Sequence, residues 1–144
     1  MFTNLKVDEL HKKIGFNELL HELIQTENSI GKTKFKLKSI PESDWKQTPT
    51  LLKINLYRIL QETLTNVIKY AQAKNCTINI NKKDKKVEIT IHDNGIGFNI
   101  NETKKGIGLK NIFERVKELN GKIELKSDEK TGTLYKIQLK IQSK

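Results

Sequence analysis

Two stretches of strictly alternating apolar and polar residues constrain the fold of this chain most strongly. They cover 76–80 and 87–93 and flank the lysine-rich segment 82–86. Because side chains on a strand point alternately to opposite faces, this spacing predicts two half-buried strands joined by a hairpin. The second stretch ends in Asp93, which falls on the same face as the apolar residues before it, so the pattern points a carboxylate toward the core.

A long amphipathic segment over 50–73 precedes these strands and predicts the strongest helix of the chain. Its apolar stripe consists of Leu56, Ile59, Leu60, Thr63, Leu64, Val67 and Ala71, and its polar stripe of Asn55, Arg58, Glu62, Asn66 and Lys69.

The remaining segments complete an order of elements that predicts an α+β fold, with antiparallel hairpins in one sheet and helices on one of its faces. They are a helical pattern at 7–27 that is interrupted at Gly15, a strand around 35–37, a loop at 41–49, a helix at 107–119, and two strands at 122–126 and 134–141 joined by a turn at 127–132.

The chain is strongly basic, with 27 Lys and Arg against 17 Asp and Glu and a formal net charge of +10. A basic patch is often the footprint of a nucleic-acid site. Here the lysines are spread along the whole chain and are not interleaved with aromatic side chains on which bases could stack. We therefore favour a solvated basic surface, which can also attract an anionic ligand, and expect no direct nucleic-acid partner.

The single cysteine, Cys76, lies in an alternating stretch. We expect it to be a small buried hydrophobe, without a disulfide and without thiol chemistry. No apolar run approaches the roughly 18 residues of a membrane-spanning helix, and the first residues lack an apolar signal core. A reducing, cytoplasmic setting is the expectation.

The polar stripe of the long helix combines three chemical groups on one face. Glu62 and Asn66 are four residues apart and Lys69 follows three later, so their side chains are neighbours on a helix. An amide oxygen can serve as a Mg²⁺ ligand, an ammonium can neutralise phosphate, and a carboxylate can orient or deprotonate an attacking group. An ordinary solvent-facing stripe is the alternative for this feature alone.

Glycines follow Asp93 and recur before the next predicted helix. Gly95 and Gly97 leave open space beside the inward carboxylate, and a buried acceptor of this kind suits the amino group of adenine. An aspartate that caps a turn is the alternative. Gly106 and Gly108 open the next helix, where free backbone N–H groups favour phosphate.

Together these segments resemble the signature motifs of the superfamily of histidine kinases and related ATPases, which includes gyrase, Hsp90 and the mismatch-repair ATPases. The stretch 61–71 resembles the N box, 93–98 the G1 box and 106–112 the G2 box. Gly132-Thr133 is similar to the small-residue turn that closes the adenine pocket in this superfamily.

The resemblance implies a Bergerat-type fold, a two-layer sandwich in which a mostly antiparallel mixed sheet carries three helices on one face. It implies ATP and Mg²⁺ as ligands and one domain over 1–144, with a leading helical segment at 1–30 and an ATP-binding core at 31–144. ATP binding is implied for Asn66, Lys69, Tyr70, Asp93, Gly95, Gly97, Gly106, Gly108, Leu109 and Thr133. Asn66 is also the expected metal ligand, and Glu62 the expected catalytic residue.

The similarity is greatest to short-lid sensor kinases that partner with helix-turn-helix response regulators, because only the segment 98–105 separates the two glycine boxes. Tyr70 departs from the histidine that is more usual in this branch. The resemblance therefore implies the catalytic domain of a longer kinase, monomeric by itself. The parent would supply a dimerisation domain and often a membrane-bound sensor, and the phosphoryl group would pass to a response regulator.

The phospho-accepting histidine of such a kinase is predicted to lie outside this chain. His11 is too close to Asn66 in sequence to leave room for a dimerisation hairpin, so we expect a surface residue. We expect His21 and His92 to be structural or solvent-facing.

Two other functions stay open. An anti-sigma-factor serine kinase also has a compact ATPase domain, although the N box and the short lid of this chain favour a histidine kinase. A module that binds ATP without transferring phosphate is the second alternative, and the presence of both Glu62 and Asn66 speaks against it.

Overall fold

The computed structural model describes residues 15–97 and 109–141. In chain order its elements are α1 (Phe16–Ile30), β1 (Lys34–Lys38), α2 (Glu42–Lys46), α3 (Thr50–Asn66), a π turn (Val67–Ala71), β2 (Asn75–Lys83), β3 (Lys86–Asp93), α4 (Leu109–Glu118), β4 (Lys122–Asp128) and β5 (Gly132–Lys140).

The five strands form one mixed sheet in the order β1-β2-β3-β5-β4. Only β1 and β2 run parallel, and the other neighbours are antiparallel. The inward positions of β2, β3 and β5 are buried beneath the helices and those of β4 are partly buried, whereas most outward positions are polar. The predicted α+β sandwich, with three long helices on one face of a mostly antiparallel sheet, is confirmed.

The predicted hairpin over 76–93 has the expected register. Cys76 pairs with Asp93 at one end and Lys83 with Lys86 at the other. Asp84, at the tip, has a φ of 56°, a left-handed conformation that aspartate tolerates better than most residues. The lysine-rich segment therefore lies at the end of the sheet farthest from Asp93.

Helix α1 begins at Phe16, directly after the Gly15 position at which the sequence predicts an interruption. Gly15 has a φ of 78°. The carboxylate of Glu42 accepts hydrogen bonds from the backbone N–H groups of Phe16 and Asn17 at 3.2 and 2.9 Å. These bonds satisfy two of the N–H groups that a helix leaves free at its start. The first part of the predicted helical pattern lies outside the described residues.

The loop predicted at 41–49 is wrong for its central part, which forms the short helix α2. Trp45 on this helix is fully buried and stacks edge-on against Phe16, with ring centroids 4.8 Å apart. Its indole N–H donates to Asn17 Oδ1 at 2.8 Å. Burial of this one large ring supplies the stability that the local sequence does not indicate.

Several predicted boundaries shift in the structure. The long helix is α-helical only to Asn66 and continues as the π turn. In a π turn each backbone hydrogen bond spans five residues instead of four. Strand β4 extends to Asp128 and β5 begins at Gly132, so the predicted turn shortens to 129–131. None of the described helices combines the length and apolar character that crossing a bilayer requires.

Candidate functional site

Asp93 ends β3 with its side chain directed into the protein, as the alternation predicts. It is 1% exposed, and its Oδ1 accepts hydrogen bonds from the backbone N–H groups of Gly95 at 2.8 Å and Thr133 at 3.3 Å. Burial raises the pKa of this carboxyl above its usual value, and the two N–H donors oppose that shift. Both bonds end on Oδ1, so within the described residues Oδ2 remains available as an acceptor.

The bond from Gly95 also bears on the alternative interpretation of Asp93 as a turn cap. An aspartate that accepts from the N–H two residues later forms an Asx turn. Asp93 therefore both caps the turn and carries a buried carboxylate. Asn94 stabilises the same turn by bonds to another part of the chain. Its Oδ1 accepts hydrogen bonds from the backbone N–H groups of Lys74 and Asn75. The G1 segment is thus held to the start of β2.

Gly95 and Gly97 allow close contact with two other parts of the chain. A Cβ at Gly95 would meet the carbonyl of Ala71, and the N–H of Ile96 donates to that same carbonyl at 2.8 Å. Gly97 has a φ of 72° and lies against the backbone of Asp128. The open space predicted beside Asp93 is therefore wrong at both glycines, because their missing side chains make room for the backbone at the end of the π turn and in the β4–β5 hairpin.

Asn66 lies at the last α-helical turn of α3 and is 6% exposed, so the polar stripe predicted for this helix is buried at this position. Its Nδ2 is a buried atom that has no hydrogen-bond partner within 15–97 and 109–141. Such an atom is uncommon in a native interior and indicates a missing water, ion or ligand group.

Tyr135, on the inward face of β5, connects Asn66 to Asp93. Its hydroxyl is likewise buried and unpaired among the described residues. Burial, and then the nearby charge of Asp93, raise the pKa of Tyr135, while the amide of Asn66 lowers it. The amide and the hydroxyl thus face each other without a hydrogen bond of good geometry, and one region of the core contains all three polar groups.

Sequence reasoning missed Tyr135. It lies within the strand predicted at 134–141, for which no site residue was predicted. A tyrosine rather than a phenylalanine among buried aliphatic neighbours was the available signal, because a buried hydroxyl needs a partner.

Glu62, the predicted catalytic residue, lies one helical turn before Asn66 and is 26% exposed. Its Oε1 is 3.5 Å from Nε of Arg115 on α4, which is 30% exposed. Oε2 of Glu62 is buried and has no partner in the described part of the chain. Arg115 was not among the predicted site residues, because nothing in local spacing links α4 to α3.

Lys69 and Tyr70 both belong to the π turn and are exposed, Tyr70 at 40%. Hydrogen bonds of a π turn span five residues rather than four, so side chains after Asn66 lose register with the face that carries Glu62. No described contact joins Lys69 or Tyr70 to Asp93, and their role in ATP binding stays a prediction.

The other predicted positions divide between the core and the part of the chain that is not described. Thr133 is fully buried, and its Oγ1 lies 3.0 Å from Oγ of Ser127. Leu109 is fully buried at the start of α4. Gly106 and Gly108 lie outside the described residues, and their contact with phosphate stays a prediction.

The remaining titratable side chains fit their predictions where they are described. Cys76 is buried, and burial raises the pKa of its thiol. His21 is exposed. His92 is also exposed, with Nε2 3.0 Å from the carbonyl oxygen of Thr131. His11 lies outside the described residues.

The family of this chain follows from comparison with known proteins. The family described as histidine kinase-, DNA gyrase B-, and HSP90-like ATPase matches residues 52–143, more than half of the chain. The chain belongs to this family. The match includes Glu62, Asn66, Asp93 and Thr133, and it confirms the resemblance drawn from the glycine boxes and the N box.

Relatives among curated proteins are sensor kinases of greater length. Sensor histidine kinase YdfH of Bacillus subtilis (strain 168) is 39% identical over 92 residues, which cover 61% of this chain and 23% of the relative. The signal transduction histidine-protein kinase/phosphatase DegS of the same strain is 30% identical over 121 residues, 81% of this chain and 31% of the relative. The chain thus spans less than a third of either relative.

Solved structures share the fold at lower sequence identity. The blue-light activated histidine kinase of Erythrobacter litoralis EL346 matches 96% of this chain and 46% of its own, with a TM-score of 0.79 and 16% identity. The ATP binding domain of PrrB from Mycobacterium tuberculosis matches 88% of this chain and 93% of its own, with a TM-score of 0.65 and 20% identity.

Proposed function

We propose that this chain binds Mg²⁺-ATP and is the catalytic domain of a sensor histidine kinase. In this proposal it transfers the γ-phosphoryl group to a histidine on a separate dimerisation domain, for relay to an aspartate of a response regulator. The observation that carries it is the buried carboxylate of Asp93, which shares one region with the unpaired polar atoms of Asn66 and Tyr135. A ligand that offers polar groups to this region would pair the buried atoms of Asn66 and Tyr135.

Adenine fits the region around Asp93. Oδ1 is held by two backbone N–H groups, which fixes the carboxylate and directs Oδ2 at a donor. The exocyclic amine of adenine is such a donor, and the apolar inward side chains around Asp93 suit the faces of a purine ring. The buried hydroxyl of Tyr135 would complete the polar contacts directly or through an ordered water.

Asn66 is the residue that would hold Mg²⁺. Its buried amide can present either oxygen or nitrogen to the ligand by rotating, and Mg²⁺ prefers oxygen ligands while keeping several waters. Within the described ranges no three His, Cys, Asp or Glu side chains cluster as a metal site, so phosphates and waters would complete the coordination. The ion, when bound, neutralises charge on the phosphates.

The transfer would be an in-line displacement at the γ-phosphorus. The bond from this phosphorus to the β,γ-bridging oxygen breaks, a bond to an imidazole nitrogen of the acceptor forms, and ADP leaves with the oxygen. The proton of the resulting imidazolium passes to the carboxylate of Glu62, whose Oε2 lacks a partner among the described residues. The domain contributes mainly position and charge neutralisation.

The test is incubation of this chain with ATP labelled at the γ-phosphate and a separately made dimerisation domain of a related sensor kinase. We expect acid-labile, base-stable label on that domain, as phosphohistidine requires. Asp93→Asn and Asn66→Asp variants, shown to be folded by circular dichroism, should lose ATP binding and label together. Tight ATP binding by both variants would contradict the proposed nucleotide site.

The same experiment separates the alternatives. Acid-stable phosphoserine on an anti-sigma antagonist would favour the serine kinase. ATP binding without transfer to any dimerisation domain would favour a sensing module.

A further inference from the structure

We propose that Arg115 is a positioning residue that orients the carboxylate of Glu62 toward the acceptor histidine. The inference rests on the proposed function, because it assumes that Glu62 accepts the proton of that histidine. Arg115 does not touch the reacting groups in this proposal. It acts through Glu62.

The geometry joins two helices that come from distant parts of the chain. Glu62 is on α3 and Arg115 is on α4, and the two helices pack against each other on the same face of the sheet. Nε of Arg115 lies 3.5 Å from Oε1 of Glu62. Nε is a buried atom without a hydrogen-bond partner among the described residues, so the cation acts on this carboxylate oxygen through its charge and its position beside it.

The second oxygen supports the same inference. Oε2 of Glu62 is buried but makes no hydrogen bond within the described residues. The two-pronged geometry that arginine and a carboxylate often adopt would satisfy both oxygens. Here a single contact holds Oε1 and leaves Oε2 for another donor, and the acceptor imidazolium is a donor of the required kind.

Exposure argues against a purely stabilising pair. The side chains of Arg115 and Glu62 are partly exposed, at 30% and 26%, and a partly exposed ion pair that lacks a hydrogen bond contributes little to folding. Residues that orient a catalytic group have a large effect on rate, because small displacements from the productive geometry are costly. Arg115 should therefore affect turnover more than stability.

The test compares Arg115→Ala, Arg115→Lys and a control on the same helix, Lys117→Ala, which replaces an exposed lysine. At saturating ATP and acceptor domain, Arg115→Ala should form phosphohistidine about 10- to 100-fold more slowly than the parent. The Kd and KM for ATP should stay within about twofold. Arg115→Lys should recover part of the rate, and Lys117→Ala all of it.

The Glu62→Gln background separates positioning from an independent effect. Adding Arg115→Ala to Glu62→Gln should change the residual rate by less than about twofold, because the group that Arg115 orients is already removed. A further large decrease would overturn the inference, as would an Arg115→Ala rate equal to that of the parent, or a weaker Kd for ATP in this variant. If the parent chain itself labels no acceptor, the proposed function fails and this inference with it. A normal parent and a normal Arg115→Ala variant reject this inference alone.

Discussion

The α-carbon of Gly132 lies directly against the backbone carbonyl of Asp93. A Cβ at position 132 would overlap that carbonyl oxygen, and Gly132 has a φ of 82°, in the left-handed region that glycine adopts without strain. The neighbouring residue, Thr133, donates its N–H to the Asp93 side chain. The first two residues of β5 thus contact both the backbone and the side chain of Asp93.

The Gly132→Ala variant should be destabilised because its methyl group cannot fit without moving the end of β3. We expect the free energy of unfolding to fall by about 2–3 kcal/mol, measured by urea denaturation. Gly31→Ala is the matched control. Gly31 has a φ of −118°, and a Cβ there meets only side-chain atoms of Ile68 at ordinary distance, so its effect should stay within about 0.5 kcal/mol. Equal stability of the two variants would contradict the close approach.

The Asn66→Ala variant should separate ligand binding from folding. Nδ2 of Asn66 has no partner among the described residues. Removing the amide therefore breaks no hydrogen bond that this atom makes in the described part of the chain. We expect an unfolding free energy within about 1 kcal/mol of the parent and at least a tenfold weaker Kd for Mg²⁺-ATP, about 1.4 kcal/mol. Calorimetric titration measures the affinity. Asn79→Ala, on the outward face of β2, should bind like the parent, and unchanged affinity in Asn66→Ala would remove this residue from the site.

The pH dependence of stability should report on Asp93. Burial raises its pKa in the folded chain above the usual 3.8 of an aspartate, so the folded chain binds this proton more tightly than the unfolded chain does. The free energy of unfolding therefore contains a contribution from Asp93 that decreases as pH rises from 3.8 through the folded pKa. Asp93→Asn lacks this contribution.

We expect the stability of Asp93→Asn relative to the parent to increase from about pH 4 to about pH 7. Urea denaturation at several pH values measures the difference. A relative stability that decreased over this range would mean that the carboxylate is favoured, not disfavoured, by its surroundings.

Tyr57 should make the chain less stable in alkali. It is 1% exposed, and burial raises its pKa from 10.0 to about 12. The neutral hydroxyl is favoured in the folded chain, so stability decreases as pH rises from 10.0 toward 12. At about pH 10.5 this decrease should be about 0.8 kcal/mol. Between about pH 8 and pH 10.5 the free energy of unfolding should fall by about 0.8 kcal/mol less in Tyr57→Phe than in the parent. Equal decreases in the two proteins would exclude ionisation of Tyr57 as a cause.

Periodicity made much of the fold predictable. Alternation in β3 fixed the inward direction of Asp93, because a strand has only two faces. Helical spacing placed Glu62 and Asn66 one turn apart for the same geometric reason. These features depend on residues close in sequence, for which the spacing along the chain determines the direction of each side chain.

Features that depend on distant residues were not predictable in this way. The short helix of Trp45 is stabilised by packing of its indole on Phe16. The sequence between Pro41 and Pro49 does not indicate that contact. Arg115 meets Glu62 only after α4 packs on α3, and the hydroxyl of Tyr135 meets Asn66 only after β5 enters the sheet. The carbonyl of Ala71 in the π turn likewise meets Ile96 of the G1 segment, a contact between residues far apart in sequence.

The position of Trp45 has a practical consequence. It is the only tryptophan of the chain, and the neighbouring Asp44 lies 3.8 Å from Lys82, near the hairpin tip. That end of the sheet is about 20 Å from Asp93 along β3. Intrinsic fluorescence will therefore follow denaturation of the hydrophobic interior and remain nearly silent when a nucleotide binds, so titrations need a labelled ligand or a calorimeter.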